Sequence, residues 1–144
     1  MKLLEGKSAI ITGGTRGIGR GIVLEFAKQG AKIAFTYRSS SEAAVALEAE
    51  VRALGAEVIS FQADAADMAA AQEVVDKTIA AFGSLDIVVN NAGITQDNLL
   101  MRMSEEQFDN VIKTNLYSVF YMTKAAIRQM LKQSEGVYNG SLLS

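Results

Sequence analysis

The chain has 144 residues, the length of one domain, and 49% of them are hydrophobic, as in ordinary globular proteins. Its formal net charge of −2 gives no general attraction to nucleic acids or anionic membranes, so neither is expected as a partner. It contains no cysteine and no histidine, which excludes disulfides, thiolate chemistry and histidine-based catalysis by these residues. No signal pattern and no run of 18 apolar residues is present, so we expect a single cytoplasmic domain over residues 1–144, without a metal site.

Four short apolar runs are predicted to be β-strands. The first of them, SAIIT, is continuous rather than alternating, as is typical of a strand buried on both faces of a parallel sheet. The four runs are Ser8–Thr12, Lys32–Thr36, Glu57–Phe61 and Leu85–Val89.

Longer segments of helical character separate these runs. Ile18, Ile22 and Phe26 recur every four residues and predict the apolar face of a helix over Gly17–Gln29, which Gly30 ends. Two further helices are expected over Glu42–Leu54 and Met68–Phe82, the latter with an inward face formed by Val74, Val75, Ile79 and Phe82.

A last helical region is expected to begin at Ser104. This serine is followed by Glu105, Glu106 and Gln107, which is typical of an N-cap with acidic residues in the first turn. One long apolar stripe follows on one or two consecutive helices. It consists of Phe108, Val111, Ile112, Leu116, Val119, Phe120, Thr123, Ile127, Met130 and Leu131.

This alternation of strands and helices predicts an α/β fold. Repeated βα units with right-handed crossovers form a parallel sheet with helices on both faces. We expect a Rossmann-type, doubly wound sheet in the order 3-2-1-4-5, with a ligand crevice beside strands one and four. Residues Gly136–Ser144 are expected to begin the fifth strand, at which the sheet is truncated.

A glycine-rich loop, TGGTRGIG, follows the first strand directly. Gly13, Gly17 and Gly19 allow a tight turn, a close approach to a pyrophosphate and close packing of the next helix, whose N-terminus favours phosphate. The alternative is a loop that only turns the chain. Its position between a strand and an amphipathic helix favours a dinucleotide site.

Two arginines predict which dinucleotide binds. An NAD site usually has an acidic residue at the end of the second strand, but no acid is present from Thr36 to Ser41. Arg38 stands there instead, and Arg16 lies in the glycine loop. Two guanidinium groups suit a ribose 2′-phosphate, so NADP is the expected cofactor; the alternative is two solvated surface arginines.

With TGGTRGIG at Thr12–Gly19 and NNAG at Asn90–Gly93, the chain resembles the short-chain dehydrogenase/reductase family. The stretch GITQDNLLMRMSEEQFDNVIKTNL, Gly93–Leu116, is similar to the 3-oxoacyl-[acyl-carrier-protein] reductases of bacterial fatty acid synthesis within it. The resemblance implies NADPH-dependent reduction of a substrate linked to acyl carrier protein, in lipid metabolism. A flavodoxin-like signalling domain fits less well, because it has no use for NNAG or the arginine pair.

The resemblance also implies roles for particular residues. Asp64 would accept a hydrogen bond from the adenine amino group, although a helix cap or turn residue is the alternative. Asn115 would belong to a catalytic tetrad of Asn, Ser, Tyr and Lys, although a helix kink or a buried hydrogen bond would also explain it. The other residues implied to bind the cofactor are Thr12, Gly13, Thr15, Arg16, Gly17, Ile18, Gly19, Asn91, Ala92 and Gly93.

The tyrosine and lysine of that tetrad have no match in the chain. The family pattern is Y-x-x-x-K, and none of Tyr37, Tyr117, Tyr121 and Tyr138 has a lysine four residues later. Ser141 is the best candidate for the serine. We therefore expect the 144-residue chain to be the cofactor-binding half of a reductase and inactive alone; the alternative is an inactive NADP-binding module or a truncated product that acts only through association.

The apolar stripe also predicts association. With no second long helix in these residues to cover it, the part formed by Val119, Phe120, Thr123, Ile127 and Met130 is expected to be partly exposed. Exposed apolar patches favour contact with another protein surface. We therefore expect a homo-oligomer or a marginally stable chain.

Overall fold

The computed structural model describes residues 2–92, 102–133 and 141–143. In these residues five parallel strands form one sheet in the order β3-β2-β1-β4-β5, which confirms the predicted order. The central strand, β1, pairs with β2 on one side and with β4 on the other. The strands are β1 Ser8–Ile11, β2 Lys32–Tyr37, β3 Val58–Gln62, β4 Ile87–Val89 and β5 Ser141–Leu143.

The helices lie close to their predicted bounds. Ser104 caps the fourth of them as expected: its hydroxyl accepts from the Gln107 amide at 3.1 Å, and its own amide donates to the Gln107 side chain at 2.9 Å. The helices are α1 Gly17–Lys28, α2 Ser41–Ala53, α3 Met68–Phe82, α4 Glu105–Ile112 and α5 Ser118–Gln133, with a π-helical turn, Lys113–Tyr117, between the last two.

Strand β4 begins two residues later than predicted. Both backbone groups of Leu85 bind the side-chain amide of Gln133, at the end of α5: the Leu85 amide donates to Oε1 at 2.8 Å, and Nε2 donates to the Leu85 carbonyl at 2.9 Å. A side chain thus occupies the hydrogen-bonding groups that a longer strand would use. This contact also fastens the end of α5 to the amino end of the sheet.

The two faces of the sheet pack against different helices. Because side chains alternate along a strand, Ala9 and Ile11 face a core shared with α1 and α2, whereas Ile10 faces a core shared with α3 and α5. All three side chains are fully buried. Helices therefore cover both faces, as a doubly wound sheet requires.

The buried face of α1 is displaced by one residue from the apolar face that the sequence marked. The buried residues are Gly19, Val23 and Ala27, and Ile18 is 77% exposed. Ile22 and Phe26 pack only partly against the core. The small residues face inward because Gly19 lies against the carbonyl of Gly13, so a larger side chain there would separate the helix from the loop.

Half of the ten residues in the predicted apolar stripe after Ser104 are exposed, and four more are only partly buried. Helix α5 contacts the core through Ser118, Met122, Ala125, Ala126 and Met130. Of the stripe, only Met130 is among these buried residues, and Phe120 is 56% exposed, so partial exposure of this surface is confirmed. Small side chains bring α5 close to its neighbours, which leaves the larger ones outward. None of the helices in the described ranges combines the length and apolar character needed to cross a bilayer.

A matched pair of substitutions on α2 tests the core. Val51 is fully buried between α2 and the sheet, whereas Val45 on the same helix is 67% exposed. We expect Val51→Ala to lower the free energy of unfolding by about 1.5–3 kcal/mol, because it removes two buried methyl groups. Val45→Ala changes helix propensity equally and should remain within about 0.5 kcal/mol. Urea unfolding measures both, and equal losses would contradict the described core.

Candidate functional site

A cavity of about 350 Å³ lies at the carboxyl ends of the first four strands. Four chain segments form its walls, one after each of β1, β2, β3 and β4. In doubly wound sheets ligands bind at this edge, beside the position where the strand order reverses. The lining residues are Gly13, Thr15, Arg16, Thr36, Tyr37, Arg38, Ser39, Ser40, Ala63, Asp64, Ala65, Asn91 and Ala92.

Thr12 joins the loop after β1 to the segment after β4. Its buried hydroxyl accepts from the amides of Asn91 at 3.0 Å and Ala92 at 2.9 Å, and it lies 3.4 Å from the carbonyl of Val89, to which it donates. The Asn91 side chain donates to the Gly13 carbonyl at 3.0 Å. Thr12 does not line the cavity, so its hydroxyl holds two walls together, and direct contact with phosphate stays a prediction.

The glycine loop is folded too tightly for side chains at two positions. A Cβ on Gly19 would lie 2.1 Å from the Gly13 carbonyl oxygen, and Gly13 has φ +65° with Ala92 Cα 3.0 Å from its own Cβ position. Contacts this short force backbone to move. Close packing of helix, loop and strand therefore depends on these glycines.

Gly14 is equally restricted, although the sequence pattern did not single it out. A Cβ there would lie 2.8 Å from Cβ of Phe35. The amides of Gly13 and Gly14 both donate to Thr36, to its hydroxyl at 3.2 Å and to its carbonyl at 3.0 Å. The doubled glycine in TGG could have indicated that Gly14 is also restricted. Nothing in the sequence indicated that its amide would bind Thr36.

The first backbone amides of α1 have no hydrogen-bond acceptors within the helix. Arg20 donates to the carbonyl of Arg16 at 3.2 Å, so the amides of Gly17, Ile18 and Gly19 belong to the first turn, which has no helical acceptors. Such a turn favours an anion. These three residues do not line the cavity itself, and their predicted contact with phosphate stays a prediction.

Arg16 and Arg38 line the same cavity from two different walls. Both side chains are exposed, and neither guanidinium forms an ion pair with any residue in the described part of the chain. By contrast, Arg20 and Arg52 on α1 and α2 are paired with glutamates. The two cavity arginines thus offer positive charge to a ligand.

Asp64 also lines the cavity, on the wall after β3. Its carboxylate accepts from the amide of Ala66 at 2.9 Å, which forms a turn, and the N-cap of α3 is Asp67 instead. Asp64 is therefore a turn residue, which is one of the two alternatives that the sequence left open for it. Its exposure leaves room for a contact with adenine, which stays a prediction.

Of the two candidate catalytic residues, Asn115 does not line this cavity. Asn115 lies in the π-helical turn, where its carbonyl accepts from Ser118 at 3.4 Å. Ser141 is the first residue of β5, opposite Ile87, and therefore about 7 Å along the strand from the carboxyl edge. The serine implied by the resemblance follows the fifth strand, whereas Ser141 begins it, and the catalytic role of Ser141 stays a prediction. Gly93 lies outside the described residues.

The geometry agrees with comparisons to known proteins. Residues 7–138 match the family model described as short chain dehydrogenase. The chain belongs to the short-chain dehydrogenase family. A short-chain dehydrogenase from Burkholderia cenocepacia, solved in complex with NADP, is 43% identical, has a TM-score of 0.84 and is matched over 88% of this chain and 51% of its own. One from Serratia marcescens is 40% identical, with the same TM-score and coverage of 88% and 52%.

Curated members of the family are similarly close. The 3-oxoacyl-[acyl-carrier-protein] reductase FabG of Staphylococcus aureus strain Mu50 is 47% identical over 130 residues, which is 90% of this chain and 53% of that protein. FabG of Escherichia coli K12 is 46% identical over 132 residues, with coverage of 92% and 52%. The chain thus spans about half the length of the curated relatives it matches.

Two glycines of α1 give a matched test of the loop. Gly19→Ala should lower the free energy of unfolding by about 1–3 kcal/mol, because its Cβ collides with the Gly13 carbonyl. At Gly21 a Cβ meets nothing within 4 Å, so Gly21→Ala should be neutral or stabilising by up to about 1 kcal/mol. Urea unfolding distinguishes them. Equal effects would mean that α1 does not approach the loop as described.

Proposed function

We propose that this chain carries the NADP-binding half of a reductase that converts 3-oxoacyl-acyl-carrier-protein to the 3-hydroxyacyl form with NADPH, in cytoplasmic fatty acid synthesis. The observation that carries the proposal is that Arg16 and Arg38 line one cavity where the strand order reverses, and that neither guanidinium has an ion-pair partner among the described residues. The reaction itself is proposed by analogy with the FabG relatives, whose names describe it.

The residues present fit an NADP molecule. Gly13 and Gly19 let the loop, α1 and the segment after β4 pack closely, and the first-turn amides of α1 beside them would suit the pyrophosphate. Arg38 and Arg16 would compensate the charge of the ribose 2′-phosphate, and Ser39 and Ser40 line the same part of the wall. Asp64 would receive the adenine amino group.

When bound, NADPH supplies a hydride. The chain's own described residues would contribute binding and orientation: the arginines would hold the phosphate end, and Thr12 and Asn91 hold the loop after β1 against the segment after β4. Proton donation to the forming alkoxide needs a positioned acid. None of the four tyrosines is followed by a lysine at the fourth position, so we expect binding without turnover by the 144-residue chain.

A second function, association with another protein, is favoured by α5. Phe120 and Leu131 are exposed on this helix and Leu116 on the preceding turn, and Leu116 and Phe120 line an apolar groove with Val119 and Thr123. A catalytically inactive NADP-binding module could act through this surface. Homo-oligomerisation stays a prediction, and sedimentation equilibrium tests it.

Binding of NADPH and NADH tests the cofactor assignment. We expect the chain to prefer NADPH, and Arg38→Ala to raise the Kd for NADPH about tenfold with little change for NADH, because a hydrogen bond to a charged group contributes about 1.5–3 kcal/mol and solvent weakens it here. Titration of nicotinamide fluorescence measures both constants. Arg52→Ala, on α2 and outside the cavity, is the matched control and should leave both unchanged.

A preference for NADH, or an equal loss of both coenzymes in Arg38→Ala, would contradict the 2′-phosphate assignment. If Arg38→Ala leaves the Kd for NADPH unchanged, Arg38 is a solvated surface residue and does not bind the coenzyme.

Turnover is tested on the same samples. After saturation with NADPH, addition of a 3-oxoacyl thioester should leave absorbance at the nicotinamide band constant, since the expected acid is missing from the chain. A full-length FabG relative is the positive control. Steady oxidation of NADPH would show that a group outside the Y-x-x-x-K pattern donates the proton.

A further inference from the structure

One side-chain hydrogen bond joins the end of β3 to the residue that follows β2, at the cavity edge. The last pair of the β2–β3 ladder is Tyr37 with Gln62, and the Ala63 amide donates to the Tyr37 carbonyl at 3.0 Å. The next carbonyl after that of Tyr37 belongs to Arg38, and the side-chain Nε2 of Gln62 donates to it at 3.1 Å. The carbonyls of Thr36 and Tyr37 face β1 and β3 in turn, so a continued strand would direct the Arg38 carbonyl toward β1. Instead it accepts from β3, and the hydrogen bond from Gln62 therefore holds a backbone that has already turned away from strand geometry.

The hydrogen bond from Gln62 is made to Arg38, one of the two arginines on which the assignment of NADP depends. The Arg38 guanidinium forms no ion pair with the residues described, so they do not fix the side chain through its charged end. Its direction therefore depends on the backbone at Arg38. A hydrogen bond to the carbonyl of Arg38 restrains the peptide plane that follows, and so restrains where the Cα–Cβ bond points.

Gln62 itself is not placed to be a ligand. It is absent from the lining of the cavity, and its side chain is exposed at the end of an edge strand. Five backbone pairs already fix the register of β2 and β3. An exposed side-chain bond beyond them adds little to the sheet, so its effect falls on the turn that carries Arg38.

We propose that Gln62 is a positioning residue for coenzyme selection: it holds the backbone of Arg38 so that the guanidinium meets the 2′-phosphate of NADP. This inference rests on the proposed function. It adds a residue from β3 to a specificity otherwise assigned to β2 and the glycine loop. Removing the side-chain amide of Gln62 should therefore weaken the binding of NADPH and leave the binding of NADH unchanged.

The test is a double-mutant cycle on the full 144-residue chain. Gln62→Leu and Gln62→Met remove the donor at similar size, and each should raise the Kd for NADPH about 2- to 10-fold, the range of one hydrogen bond, with NADH unchanged. In the Arg38→Ala background the same changes should have no further effect. Gln72→Leu is the matched control, because Gln72 binds only Asp76 on the surface of α3 among the described residues.

Three results would overturn the inference while the proposed function stands: a normal NADPH preference unchanged by Gln62→Leu, an equal loss for both coenzymes, or a full additional loss in the Arg38→Ala background. The last two would mean a general structural role. If the unmodified chain shows no preference for NADPH, the proposed function fails first and this inference fails with it. Urea midpoints of the Gln62 variants should match the unmodified chain.

Discussion

The site depends on one buried hydroxyl. Thr12 ends the central strand, and its side chain binds the amides of Asn91 and Ala92 after β4. Strands β1 and β4 are neighbours in the sheet but are separated by two strands and three helices in the sequence, so a local interaction cannot bring these loops together. A short side chain with donor and acceptor capacity can join both segments without filling the space between them. The carboxyl edge of the sheet is consequently one connected surface.

The wall of the cavity after β2 is also held by hydrogen bonds that cross to neighbouring segments. Thr36 near the end of β2 accepts from the amides of Gly13 and Gly14, and Gln62 at the end of β3 donates to the carbonyl of Arg38, directly after β2. Three neighbouring strands thus end in hydrogen bonds that cross to the adjacent segment. Because the amides of Gly13 and Gly14 are used in this way, the phosphate-binding capacity of the loop shifts toward the first turn of α1. The glycines serve mainly the close approach of helix, loop and strand, and the turn after them is the proposed site of the anion.

Much of the fold was predictable because its signals are local. Strand-length apolar runs, helical periods and the glycine loop identified the alternation of elements, and handedness then restricted the sheet order. The cavity arginines were also recognisable, since a missing acid after β2 is visible in sequence. The inner face of α1 was not predictable in the same way. Ile18 fits the helical period as well as Gly19 does, and only the approach of the loop decides which of them faces inward.

The amino-acid sequence by itself determined the α/β alternation, the family and the presence of two cationic side chains near a glycine loop, because each is encoded in adjacent residues. Tertiary structure alone decided that Gly14 must lie against Phe35, that Leu85 pairs with a glutamine side chain rather than a strand, and that Gln62 reaches Arg38. These contacts join residues 21 to 48 positions apart. Their partners are set by sheet register and helix packing, which no short window of sequence contains.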